Sequence, residues 1–157
     1  MMIKKYLILI LISLIFDTAT FAAGNDDTST KIDNYKKGAN LIEQAKELER
    51  ENKLEKSAKK FGEAIKYLII TNKNNPNQPD TLNYLGYASR KIGKLEIAEK
   101  YYLEGLALDA LHIGINEYLG ELYVETNRID KAKERLKILQ NCKCEEFEEL
   151  QTLISKN

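Results

Sequence analysis

Shifted by 34 residues, the sequence falls on a likeness of itself. Tyr84-Leu85-Gly86 lies on Tyr118-Leu119-Gly120, Gly93-Lys94-Leu95-Glu96 on Asn127-Arg128-Ile129-Asp130, and Ala98 on Ala132. Self-similarity at a fixed period of this size marks a chain of stacked supersecondary units, each too small to bury its own apolar face. Each match has a physical reason. Gly86 and Gly120 carry no side chain and let a partner helix approach closely. Gly93 and Asn127 are residue types that tolerate the left-handed backbone ending a helix. Leu95 and Ile129 restart an apolar stripe, and Ala98 and Ala132 stand where two helices cross tightly.

Around those matches the apolar residues recur at helical spacing. Ile32, Tyr35, Ala39, Ile42 and Ala45 form one set, and Leu54, Ala58, Phe61, Ile65 and Leu68 a second. Ile115, Tyr118, Leu119, Leu122 and Tyr123 form a third. No stretch sustains the period-two alternation of a strand. Both prolines, Pro76 and Pro79, fall between Asn72 and Asp80, the clear break between helical segments. An all-α chain is expected. A third turn signature, Asn52-Lys53-Leu54-Glu55, precedes Gly93 by 41 residues rather than 34, so seven extra residues lie between the two turns. They amount to about two turns of helix at ~3.6 residues each. They are placed mainly in the helix after Leu54, running to about Thr71, with the preceding helix, roughly Asp33 to Arg50, lengthened to match. Gln44-Ala45 stand there in place of Leu-Gly. After the last unit, Asn141-Cys142-Lys143-Cys144 breaks the pattern. Phe147, Leu150, Leu153 and Ile154 then form one more apolar face, with Glu145, Glu146, Glu148 and Glu149 outward. A terminal helix with a polar side suits the end of an open stack.

At these positions the two regular units resemble tetratricopeptide repeats. That pattern places Leu-Gly on the first helix, and on the second a small, a bulky and another small residue, here Ala98, Tyr102 and Gly105, then Ala132, Leu136 and Leu139. The resemblance covers roughly residues 33–156. It implies an α-solenoid of three helical hairpins, about 33–75 (the lengthened one), 79–110 and 113–140, plus a capping helix at about 145–156. It further implies a concave groove, lined by the first helix of each hairpin, that binds an extended peptide or a partner helix. Carried over residue by residue, the groove positions are Asn83, Tyr87, Arg90 and Lys91 on the second hairpin and Glu117, Glu121 and Glu125 on the third. One wall is polar and basic, the next acidic at i, i+4, i+8 spacing. Some family members clamp a peptide's terminal carboxylate with Lys, Asn and Arg at these places. The glutamates here argue against that clamp and for a partner segment with basic residues. The plainer alternative is a solvated face on which Arg90 or Lys91 pairs with a glutamate, such surface pairs being worth ~0–1 kcal/mol. Tyr84, Tyr101, Tyr102 and Tyr118 read as inter-helix packing, and Tyr87 alone is kept as a groove tyrosine.

The first residues read as an address. Lys4 and Lys5 precede an apolar run from Tyr6 to Phe16, which Asp17 ends after eleven residues, well short of the ~20 that span a bilayer. Thr20 and Ala22 stand at −3 and −1 of a cut before Ala23. The reading is a secretory signal peptide over 1–22, against an uncleaved anchor, for which the run is short. No Cys lies near the cut, as a lipoprotein anchor would need. From Gly24 to Lys31 the segment is polar and small, and residues 23–32 read as a flexible tail. The destination expected is the far side of the inner membrane, a bacterial periplasm in the simplest case, with no stable membrane span after cleavage.

Composition narrows the class. The 157 residues carry 24 basic and 24 acidic side chains, and a formal charge of zero argues against nucleic acid as the partner. One His, two Cys and no Trp make a poor inventory for catalysis or for a multi-ligand metal site. No Gly-rich phosphate loop, Gly-x-Ser-x-Gly elbow, His-Glu-x-x-His or paired Cys-x-x-Cys occurs. Neither an enzyme nor a cofactor is expected. His112, in Asp109-Ala110-Leu111-His112, reads as a loop or helix-start residue rather than a catalytic one. In an oxidising compartment Cys142 and Cys144 read first as a disulfide, provided their Cα atoms lie roughly 4.4–6.8 Å apart. A redox-active or intermolecular thiol, a soft metal such as Cu(I), or free thiols are the alternatives. The function expected is a non-catalytic adaptor that binds a protein or peptide partner, and the competing class is a thiol-redox or copper-handling protein using Cys142 and Cys144. The oligomeric state is left open.

Overall fold

A computed structural model describes residues 27–157. Among them are seven helices and no strand: α1 (Asp27–Arg50), α2 (Leu54–Asn74), α3 (Pro79–Lys91), α4 (Leu95–Leu108), α5 (Ile113–Glu125), α6 (Ile129–Leu139) and α7 (Glu145–Ser155). The all-α solenoid expected from the repeat is the architecture found. The signal peptide expected over 1–22 lies outside the described residues. α1 begins at Asp27, so residues 27–32, expected as tail, are helical. An established helix gains a backbone hydrogen bond for each residue added, and neither Pro nor Gly interrupts the stretch from Asp27 to Lys37. No helix among the described residues is long and apolar enough to cross a membrane.

The three hairpin turns share one construction. Asn52, Gly93 and Asn127 have φ of 57°, 76° and 57°, the left-handed conformation that Gly and Asn reach most cheaply. In the second hairpin Gly93 N–H donates to the Arg90 carbonyl at 2.9 Å and Lys94 N–H to that of Ser89 at 2.9 Å. The same pair of bonds runs from Asn52 to Glu49 and Lys53 to Leu48, and from Asn127 to Val124 and Arg128 to Tyr123. Each first helix thus ends in a Schellman motif that satisfies its last carbonyls. The seven additional residues are found in the second helix of the first hairpin: α2 has 21 residues where α4 has 14.

Each helix packs on the next in sequence, and α1 also touches α3, α3 touches α5, and α5 touches α7. Among the described residues α2, α4 and α6 do not touch one another. The stack is therefore closed along α1, α3, α5 and α7 and splayed along the other side, which makes the first-helix side concave. Two buried clusters form the core. One gathers Ile42, Phe61, Leu68 and Leu85 from α1, α2 and α3. The other gathers Tyr102, Ile115, Leu119 and Leu122 from α4 and α5. Tyr118 packs against both. Gly86 earns its place by contact: a Cβ there would collide with the Tyr102 ring, so a side chain would force α3 and α4 apart.

Candidate functional site: the concave face

The basic wall is centred on Tyr87, which is 7% exposed. Its ring lies 4.8 Å from that of Tyr118 and 5.8 Å from that of Phe61. Lys46 Nζ, Lys91 Nζ and Arg90 Cζ stand 5.1, 5.7 and 6.0 Å from its centroid, within cation–π range. Burial, then the charge of Glu49, pushes the phenol well above its usual range. Tyr87 is thus a core residue under a lid of cations rather than an open groove side chain. Lys46 of α1 and Tyr118 of α5 both reach this ring from outside its own hairpin.

Those cations are already engaged. Arg90 Nη2 donates to Glu121, Arg90 Nη1 lies 3.6 Å from Glu125, and Lys91 Nζ lies 2.9 Å from Glu49. Lys46 Nζ donates to Glu43 at 3.1 Å. The two walls anticipated from the repeat do meet, with Arg90 tying α3 to α5, and the internal-pairing alternative describes both Arg90 and Lys91. Asn83 is half-buried beside Gly114, where its Nδ2 would come 2.9 Å from an added Cβ. Glu125 is the most open of the seven positions, its side chain 47% exposed. Lys46 and Glu49, missed in the sequence, had a signal. The 41-residue offset between turn signatures places Lys46 on Tyr87 and Glu49 on Arg90.

The acidic wall divides in two. Glu117 is 3% exposed, and carboxylate oxygens of Glu117, Glu121 and Glu149 all lie within 4.8 Å of one another. Burial first, then a hydrogen bond with Glu149 and the charges of Glu121, Glu149 and Glu146, push Glu117 up to about 9. It holds a proton at neutral pH. Glu117 therefore lies beneath the capping helix and does not line an open groove. Glu149 is exposed, as expected, and also reaches Glu117 through a side-chain hydrogen bond. Three carboxyl groups could in principle hold a cation, but Arg90 occupies Glu121 and a proton occupies Glu117, so this chemistry favours the proton. Beside them a shallow groove of ≈ 410 Å³ runs between α5 and α7, lined by Glu121, Glu145, Glu148, Glu149, Thr152, Leu153 and Lys156.

The remaining candidates sit at turns. Cys142 and Cys144 are joined in a disulfide with their Cα atoms 5.2 Å apart, around Lys143 at φ 50°, in the link from α6 to α7. His112 caps α5: its Nδ1 accepts from the Ile115 N–H at 3.2 Å. Nε2 then carries the hydrogen and faces Asp80 Oδ1 at 3.0 Å, which ties the start of α5 to that of α3.

No protein-family model matches the sequence, and no curated protein matches it. Among solved structures the chain is similar to the TPR domain of Arabidopsis OM64, at a TM-score of 0.52 and 13% identity over 78% of this chain and 98% of that one. It is similar also to the first TPR of Spaghetti (RPAP3), bound to the HSP90 peptide SRMEEVD, at a TM-score of 0.51 and 15% identity over 77% and 93% of the two chains. At such identities the likeness is one of backbone arrangement. Together with the three Schellman-closed hairpins and the helix that follows them, it shows that this chain has the tetratricopeptide-repeat fold.

Proposed function

We propose that the chain is a non-catalytic protein-interaction module of the bacterial envelope, holding a partner peptide or helix in its concave groove at the α5–α7 end. The observation that carries this reading is the groove's charge. Glu121, Glu145, Glu148 and Glu149 line it with Lys156 as its one cation. Arg90, Lys91 and Lys46, the cations around Tyr87, each pair with a carboxylate of the chain itself. A neighbour of the same fold holds the acidic peptide SRMEEVD. The opposite charge on this groove favours a segment carrying Lys or Arg. The envelope assignment rests on the leader read at 1–22.

The test is fluorescence anisotropy of labelled peptides of equal length, lysine-bearing or glutamate-bearing, titrated with the chain at low and high salt. The basic peptide binds, weakens with salt, and is lost in the double variant Glu145→Lys, Glu148→Lys with helicity unchanged. Equal binding of the acidic peptide, or indifference to the double substitution, would sink the reading.

A further inference from the structure

α7 docks on α5 through two adjacent contacts of different chemistry. Leu150 is fully buried over Gly120, where an added Cβ would come 2.5 Å from its Cδ2. Three residues earlier on α5, Glu117 lies beneath Glu149, within the carboxyl cluster that includes Glu121. Three carboxylates at that separation, one of them out of water, do not all ionise together.

The charged and titratable groups around Glu117 come from every helix packed on α5. α7 brings Glu149 and Glu146, and α5 itself brings Glu121 and Tyr118. α3 brings Arg90 and Tyr87, the arginine being taken by Glu121 and Glu125. α4 brings Tyr102, beside Arg90 and Glu121. α6 brings Arg135, whose Nη1 donates to Asn116 Oδ1 at 3.4 Å. Neither arginine pairs with Glu117.

We propose that α7 is a proton-linked cap: docked on α5, it sets Glu149 against a protonated Glu117, and loss of that proton loosens α7 and takes apart the acidic end of the groove that α7 lines. In the docked state Glu117 is raised from 4.5 to about 9. Undocked, it meets water, loses Glu149 as a neighbour and returns toward the ordinary carboxylate range. The docked state is the one that binds the extra proton. Docking is therefore strongest below the ordinary range and weakens as pH rises from there through neutrality. Across that window one proton is linked to docking, which changes the equilibrium by about tenfold per pH unit. This linkage resides in the chain itself and is independent of what occupies the groove.

The experiment is amide hydrogen exchange on the full chain between pH 5 and pH 8, read as protection factors, with E117Q in parallel. Gln keeps a donor for Glu149 but has no proton to lose. In the native chain the protection of α7 falls by about tenfold per pH unit while α3 and α4 stay level, and E117Q holds α7 level too. A flat α7 in the native chain, an undiminished slope in E117Q, or the same slope in α3 and α4 would each overturn the proposal. Carboxyl 13C titration of Glu117 in the native chain decides the matter even if E117Q does not fold. Protonation above pH 7 supports the linkage, and titration in the ordinary carboxylate range refutes it.

Discussion

The α1–α3 junction and the α5–α7 junction are built from the same element, a first helix laid beside the first helix of the next unit, and they handle charge in opposite ways. Around Tyr87, three cations cover an aromatic ring and each finds a carboxylate: Lys46 with Glu43, Lys91 with Glu49, Arg90 with Glu121. Around Glu117, three carboxyl groups converge and none of the pairs is of opposite sign. The first junction is neutralised by its own side chains and presents little charge to a ligand. The second is neutralised by a proton and by Arg90 reaching in from α3, and it leaves an acidic groove beside it. A repeat architecture can thus hold its backbone constant and assign stability to one junction and responsiveness to another.

The largest effect separating the two is expected from Tyr87→Ala. It removes a buried ring packed on Phe61 and Tyr118 and should cost about 3–5 kcal/mol in urea unfolding. A loss under 1 kcal/mol would mean that Tyr87 is a groove residue after all. Next comes Arg90→Ala. Its side chain is 12% exposed, and its removal leaves Glu121 unpaired among carboxyl groups, at a cost of about 2–3 kcal/mol. The same variant joins the two junctions: without Arg90, Glu121 adds uncompensated charge beside Glu117, so the loss should be larger at pH 8 than at pH 5. Equal losses at both pH values would separate the ion pair from the cluster. The smallest effect is expected from reducing the Cys142–Cys144 bond. A loop this small contributes about 1–2 kcal/mol by chain entropy, and the change should show in exchange of α7 and not in α1 or α3. Loosening of α1 on reduction would show that the disulfide supports more than the turn before α7.

Much of this was legible from residues alone where the cause is local. Asn52, Gly93 and Asn127 mark turns because a positive φ selects for Gly and Asn wherever it occurs. The 41-residue spacing announced a longer hairpin because a turn signature can be counted, and the additional residues appear in α2. Arg90 and Glu121 could be placed on facing walls from the repeat positions alone. Tyr87 and Glu117 could not be read the same way. Each occupies a groove position in its own unit, and each is buried by another element: Lys46 of α1 and Tyr118 of α5 over Tyr87, Glu149 of α7 over Glu117. The outward reading of the α7 glutamates holds for Glu145, Glu148 and Glu149, which are exposed, but it missed that Glu149 also meets Glu117, since helical periodicity shows which residues share a face but not what that face meets.

What the amino-acid order determined by itself was the helical period, the hairpin turns, the extra length of α2 and the apolar stripe that makes α7 a cap. These follow from backbone dihedrals and side-chain spacing within a few residues. What only the tertiary structure decided was which groove positions remain in water, which charges are spent on one another, and that Glu117 carries a proton. Exposure and ionisation depend on groups brought close from distant helices, because desolvation and Coulomb interactions act through space and not along the chain.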